Sequence, residues 1–130
     1  MHSFFMPMLP PETTHQMKKV RVVKGKPQFY EPTELIAARS KLEAHLSAHI
    51  PENKYTDGVR LLVKWCFPIN GKHQDGEYKT TKPDLDNAMK LLLDCMTKTG
   101  YWKDDNLIAS MVVEKFWSKT PGIYVVIESI

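Results

Sequence analysis

Five of the chain's acids fall in one stretch, KPDLDNAMKLLLDCMTKTGYWKDDNLI: Asp84, Asp86, Asp94, Asp104 and Asp105. Asp84 and Asp86 stand where a helix begins, because Pro83 precedes them and an apolar stripe follows. Two readings fit that pair. One is capping, in which one Asp accepts backbone N–H bonds and the other complements the helix dipole. The other is a metal site. If the chain beyond the helix returns as a strand whose start approaches the helix N-terminus, Asp104 and Asp105 join Asp84 and Asp86. Carboxylates brought together repel and are tolerated when a cation neutralises them. Oxygen-only ligands suit Mg²⁺, or Mn²⁺ in its place, with water and phosphate completing the shell. Such an ion polarises a phosphodiester and activates water for in-line attack. Lys90 lies four residues after Asp86, on the same helix face. It either forms an ion pair with Asp86 or stabilises charge on a phosphate.

The elements that position these residues follow from periodicity. Leu85, Ala88, Met89, Leu92, Cys95 and Met96 make one stripe of a helix over 85–99, which Gly100 ends. Leu35, Ala38, Leu42, Leu46 and Ile50 predict an earlier helix over 33–50, capped by Thr33 and stopped by Pro51. Val59 to Phe67 alternates as a strand, with Val59, Leu61, Val63, Trp65 and Phe67 on its apolar face. Residues 2–8 predict a first strand running into a Pro-rich loop. Val20, Val22 and Val23 predict a second strand, with a turn at Lys24-Gly25 and a return through Phe29 and Tyr30. Residues 107–117 and 123–130 predict two final strands joined at Lys119 to Gly122. The sum is an α/β (α+β) domain over 1–130, a mixed β-sheet with two helices packed on it, in the order ββαβαββ. The polar segment 68–82 is long enough for a functional or mobile loop.

The 130 residues carry 18 Lys plus Arg against 15 Asp plus Glu, a net charge of +3 that permits a nucleic-acid partner without requiring one. With 42% hydrophobic and 25% charged residues, the composition excludes bulk disorder. No apolar run approaches the roughly 18 residues of a membrane helix, and the Pro-rich start lacks a basic region, so a cytoplasmic protein without a signal peptide is expected. Cys66 and Cys95 belong to no CxxC pattern and read as reduced thiols. His45 and His49 share a helix face, a polar stripe more often than a metal pair. The most basic stretch holds Lys18, Lys19, Arg21, Lys24 and Lys26, with no acid between Lys18 and Tyr30. Lys72, His73, Lys79 and Lys82 add charge just before the acids. A nucleic-acid partner, if the chain has one, is expected to run over these residues. Trp102 reads as packing on the helix end in preference to stacking on a base.

The segment from Lys82 to Ile108 resembles the RusA family of Holliday-junction resolvases, crossover junction endodeoxyribonucleases often carried by phages and prophages. The family's pattern of DxDN, a lysine, a further Asp on the helix, Gly, and DD before an apolar residue is met by Asp84, Asp86, Asn87, Lys90, Asp94, Gly100, Asp104, Asp105 and Ile108. The Pro-rich strand end, the basic segment and Phe29-Tyr30 before Pro32 are similar too. Cys95-Met96 departs from the plainer aliphatic pair expected after Asp94. The resemblance implies a homodimer that binds four-way junction DNA and, with Mg²⁺, nicks two opposing strands symmetrically in recombination and repair. It also implies Asp84, Asp86 and Asp105 as metal ligands and catalytic residues, Asp104 as a helper that points away if the chain is extended there, and Lys90 as a catalytic lysine. A twofold partner suits a twofold junction that needs two cuts. The alternatives are a metal nuclease on other branched DNA, a catalytically inactive junction-binding protein, and an interaction protein in which the acids only cap a helix.

Overall fold

The computed structural model describes residues 1–12, 19–23, 25–30 and 32–130, with strand residues 19–23 and 27–30 described by their backbone. The elements are β1 (His2–Pro7), β2 (Lys19–Val23), β3 (Lys26–Tyr30), α1 (Thr33–Ser47), β4 (Val59–Pro68), α2 (Leu85–Thr99), a 3₁₀ turn (Asp105–Leu107), β5 (Ile108–Ser118) and β6 (Gly122–Ser129). The order ββαβαββ is the one the periodicity predicts. β2 and β3 form a separate antiparallel hairpin, with Lys19 opposite Tyr30 and Val23 opposite Lys26. The other four strands form one sheet in the order β1-β6-β4-β5.

The sheet is mixed because β4 is flanked differently on its two sides. β6 runs antiparallel to β4 and β1. β5 runs parallel to β4, from Val59 opposite Ile108 to Pro68 opposite Ser118. Parallel neighbours need a crossover, and α2 supplies it. Alternation does the rest: Val59, Leu61, Val63, Trp65 and Phe67 are all buried, as are Ile123, Val125 and Ile127 of β6. Leu35, Ala38, Leu42 and Leu46 of α1 and Met89, Leu92, Cys95 and Met96 of α2 close the same core. A Lys98–Glu43 ion pair of 3.2 Å ties the two helices at the surface.

Two expectations for α1 change. Pro32, not Thr33, occupies the cap position, and its carbonyl accepts from Leu35 and Ile36 N–H. The helix ends at Ser47, not Ile50. Pro51 disfavours helical geometry in the residue before it, the last turn tightens through Ala48 and His49 N–H bonds to His45 and Leu46 carbonyls, and Ile50 is left 42% exposed. α2 has the predicted bounds. Gly100 sits at φ +105° and closes the helix with its N–H on Met96 and Thr97 carbonyls. Trp102 is fully buried, and its Nε1 donates to Thr97 Oγ1 at 2.9 Å, so it packs on the helix end.

The segment between β4 and α2 is built onto β5. Gly76 N–H donates to the Trp117 carbonyl, Trp117 N–H to that of Glu77, and Lys79 N–H to that of Lys115. This short antiparallel pairing covers the C-terminal end of the β5 edge, and among the described residues the stretch from Ile108 to Glu114 has no strand partner on that edge. Met111 and Val112 on that open stretch are each 47% exposed.

Candidate active site

Asp84 occupies the N-cap of α2 with extended backbone angles, yet its side chain accepts no capping hydrogen bond. Its carboxylate is exposed, as are those of Asp86 and the ammonium of Lys90. The i,i+4 spacing of Asp86 and Lys90 does not become an ion pair, and none of the three side chains has a polar partner among the described residues. Asn87 is buried beneath them. The helix start therefore presents two hard oxygen donors and one cation, none of them used by the fold.

Asp104 and Asp105 stand elsewhere. Asp104 Oδ1 accepts from Asn106 N–H at 3.1 Å and caps the 3₁₀ turn. Asp104 has extended backbone angles and the 3₁₀ turn begins at Asp105, which leaves the two carboxyls close enough to share a hydrogen bond. Partial burial, that bond, and the negative charges of Asp104 and Asp94 push the Asp105 carboxyl above the usual carboxylate range.

The expected approach of the β5 start to the α2 N-terminus does not occur within one chain. β5 does run beside β4, but in a parallel crossover the strand begins where the helix ends. Asp105 therefore faces Asp94, in the C-terminal half of α2. Asp86 and Asp94 are separated by about 12 Å of helix axis at 1.5 Å per residue. Among the described residues no three His, Cys, Asp or Glu side chains converge on one metal position. Between the two groups, Leu85, Met89, Leu93, Met111 and Val113 line an apolar cavity of about 320 Å³ beside the open edge of β5.

Of the expected DNA path, Lys18 and Lys24 lie outside the described residues, and Lys19 and Arg21 lie on the β2 backbone. Lys26, Lys72 and Lys82 are exposed. His73 stacks on Trp117 at 4.3 Å and pairs with Glu77. Lys79 differs from the surface role expected of it: it is 6% exposed. Its ammonium lies 4.8 Å from the Trp117 ring centre and 5.1 Å from that of Phe67, donates to Thr81 Oγ1 at 2.7 Å, and also donates to the Lys82 carbonyl. Burial, and then Lys115 nearby, lower its pKa against a smaller opposing pull from Glu12. Lys115 was not singled out in the sequence. Its Nζ donates to the Thr81 and Pro83 carbonyls, the latter at 2.8 Å. The available signal was weak: a lysine inside a strand opposite a proline-bearing loop whose carbonyls need donors.

A family model described as Endodeoxyribonuclease RusA matches residues 8–128. The chain belongs to the RusA family. The Crossover junction endodeoxyribonuclease rusA of Lactococcus phage r1t is 37% identical over 105 residues, 79% of each chain. An uncharacterized protein, YqaN of Bacillus subtilis, is 28% identical over 117 residues, 82% of each chain. Family membership makes this chain an endodeoxyribonuclease, an enzyme that hydrolyses DNA phosphodiester bonds. Among the described residues no helix is long and apolar enough to cross a membrane.

Proposed function

We propose that this RusA-family nuclease is a Holliday-junction resolvase that, with Mg²⁺, makes paired symmetric nicks across a four-way junction. The observation that carries the reading is the idle state of Asp84, Asp86 and Lys90. An acid at a helix N-cap ordinarily bonds the N–H groups it faces, and an Asp–Lys pair four apart ordinarily associates. Here neither happens, so these groups are available to a ligand.

Two exposed carboxylates fit a hard divalent cation that also takes water and phosphate oxygens. When bound, the ion polarises the phosphate and supplies an activated water. Asp84 and Asp86 would hold the ion, and Lys90 would neutralise charge on the phosphate. Asp105 joins them from a second chain. A twofold axis across the open edge of β5 reverses the partner's strand, so that the partner's Asp105 arrives beside the α2 N-terminus. The half-exposed Met111 and the apolar cavity between α2 and β5 lie on the surface that such a pairing buries. A homodimer then carries two equal sites, matched to a junction of approximate twofold symmetry.

A labelled four-way junction with and without Mg²⁺ tests the reading. Paired symmetric nicks dependent on the ion are expected, and Asp86→Asn is expected to bind the junction without cutting it. Equal cutting of flaps and junctions would favour a broader branched-DNA nuclease. Tight binding with no cleavage would favour an inactive junction-binding protein.

A further inference from the structure

Two lysines lie against the loop that delivers Asp84. We propose that Lys115 and Lys79 are positioning residues: their ammonium groups hold the carbonyls of three successive residues, Thr81, Lys82 and Pro83, and so fix where Asp84 and Asp86 stand. Lys115 takes the carbonyls of Thr81 and Pro83, and Lys79 takes that of Lys82 together with the Thr81 hydroxyl. The proposal rests on the metal-site reading of Asp84 and Asp86 given above.

Three observations argue for a clamp and against chance contact. First, among the described residues no backbone N–H donates to the carbonyls of Thr81, Lys82 or Pro83, and the ladder with β5 ends at Lys79 N–H on the Lys115 carbonyl. Second, both ammonium groups donate to Thr81, one to its hydroxyl and one to its carbonyl, so their like charges lie close together. Like charges this close need fixed acceptors, and backbone carbonyls supply them. Third, the lysines are themselves anchored. Lys115 sits in β5 opposite Trp65 of the central strand, and Lys79 is pinned between the Phe67 and Trp117 rings. The chain from Pro83, which is buried, passes directly into Asp84 with one peptide bond of slack. Position is thus transmitted from the sheet to the metal-facing acids through lysine hydrogen bonds. Charge-assisted bonds of this kind are short and directional, and partners that orient metal ligands typically hold about 10- to 100-fold in metal affinity or activity.

The test is Lys115→Met, which keeps the aliphatic length and removes the donors. Mn²⁺ binding is measured by electron paramagnetic resonance with the dimeric protein and a junction, alongside junction affinity and cleavage. A rise of about tenfold in the Mn²⁺ dissociation constant is expected, with junction affinity held within about twofold and a matching rise in the Mn²⁺ needed for half-maximal cleavage. Lys115→Arg is expected to recover most of the metal affinity. Thr81→Val, which changes no charge, should shift it in the same direction by less. Should Lys115→Met fail to fold, Lys79→Met carries the same expectation. Unchanged Mn²⁺ affinity in a folded lysine variant overturns the clamp. So does a loss of junction affinity with metal binding intact, which would make the lysines phosphate contacts. If Asp86→Asn in the otherwise native chain binds Mn²⁺ as the native protein does, the metal site itself is misplaced, and the clamp falls with it.

Discussion

Met111→Lys separates the fold of one chain from the assembly of the active site. Met111 is 47% exposed on the open stretch of β5, so a lysine there keeps its head in water and folding stability changes by roughly 0.5 kcal/mol, as for other surface substitutions. In a twofold interface over the same edge the residue occurs twice. Each unpaired buried charge costs roughly 2–5 kcal/mol, so two weaken the dimer by at least about 4 kcal/mol, or about a thousandfold in dissociation constant. Sedimentation velocity at micromolar protein should show a native dimer and a monomeric variant with unchanged circular dichroism. The variant should also lose cleavage. The separation of the acids explains why: Asp86 and Asp94 are about 12 Å apart along α2, Asp105 is held at the Asp94 end, and a Mg²⁺ ion spans only about 4 Å between ligands on opposite sides. A monomeric Met111→Lys protein that nicks junctions at the native rate per chain would refute the reasoning. A variant that stays dimeric would place the interface elsewhere.

Other expectations are more local. Gly122→Ala should lower stability by about 1–3 kcal/mol in a thermal or urea melt, because an added Cβ would lie 2.5 Å from the Met6 carbonyl oxygen in the neighbouring strand. Tyr101 is buried and donates to the Leu46 carbonyl at 2.7 Å, and burial raises its pKa. Its contribution is therefore complete below the unfolded tyrosine pKa of about 10 and is lost as the pH rises above it. Tyr101→Phe should cost about 1 kcal/mol at neutral pH and flatten the loss of stability above pH 10, read from melts across that range. Junction affinity should fall steeply between low and moderate salt, because phosphate contacts release counterions; a flat salt titration would contradict a DNA path over the basic residues.

Much of this architecture is legible in the sequence wherever local chemistry decides it. α2 runs from Leu85 to Thr99 because Pro83-Asp84 starts it and Gly100 stops it, and both signals are local. β4 shows its buried face through strict alternation. The direction of β5 is different in kind. Parallel or antiparallel pairing with β4 depends on tertiary contacts, and that choice decides whether Asp105 meets Asp86 or Asp94. Motif spacing names the acids but cannot say which chain brings them together. Lys79 is expected on the DNA path from its place in the basic loop before the acids. Its burial follows from the path of the loop along β5 and the rings of Phe67 and Trp117, which adjacent residues do not reveal. Ile50 extended the α1 stripe in register, but Pro51 ended the helix before that stripe could be used.

The shared site is tested most directly by mixing two inactive proteins. Asp86→Asn and Asp105→Asn, each expected to be inactive alone, are unfolded together, refolded in equal amounts and given a junction with Mg²⁺. In a mixed dimer whose sites are built across the interface, one site carries both substitutions and the other carries neither. Random pairing then restores about a quarter of the native nicking sites, with single nicks in place of paired ones. If each site is instead built within one chain, both sites of every mixed dimer are damaged. The mixture would then stay as inactive as its parts, and the account of a shared carboxylate site would be wrong.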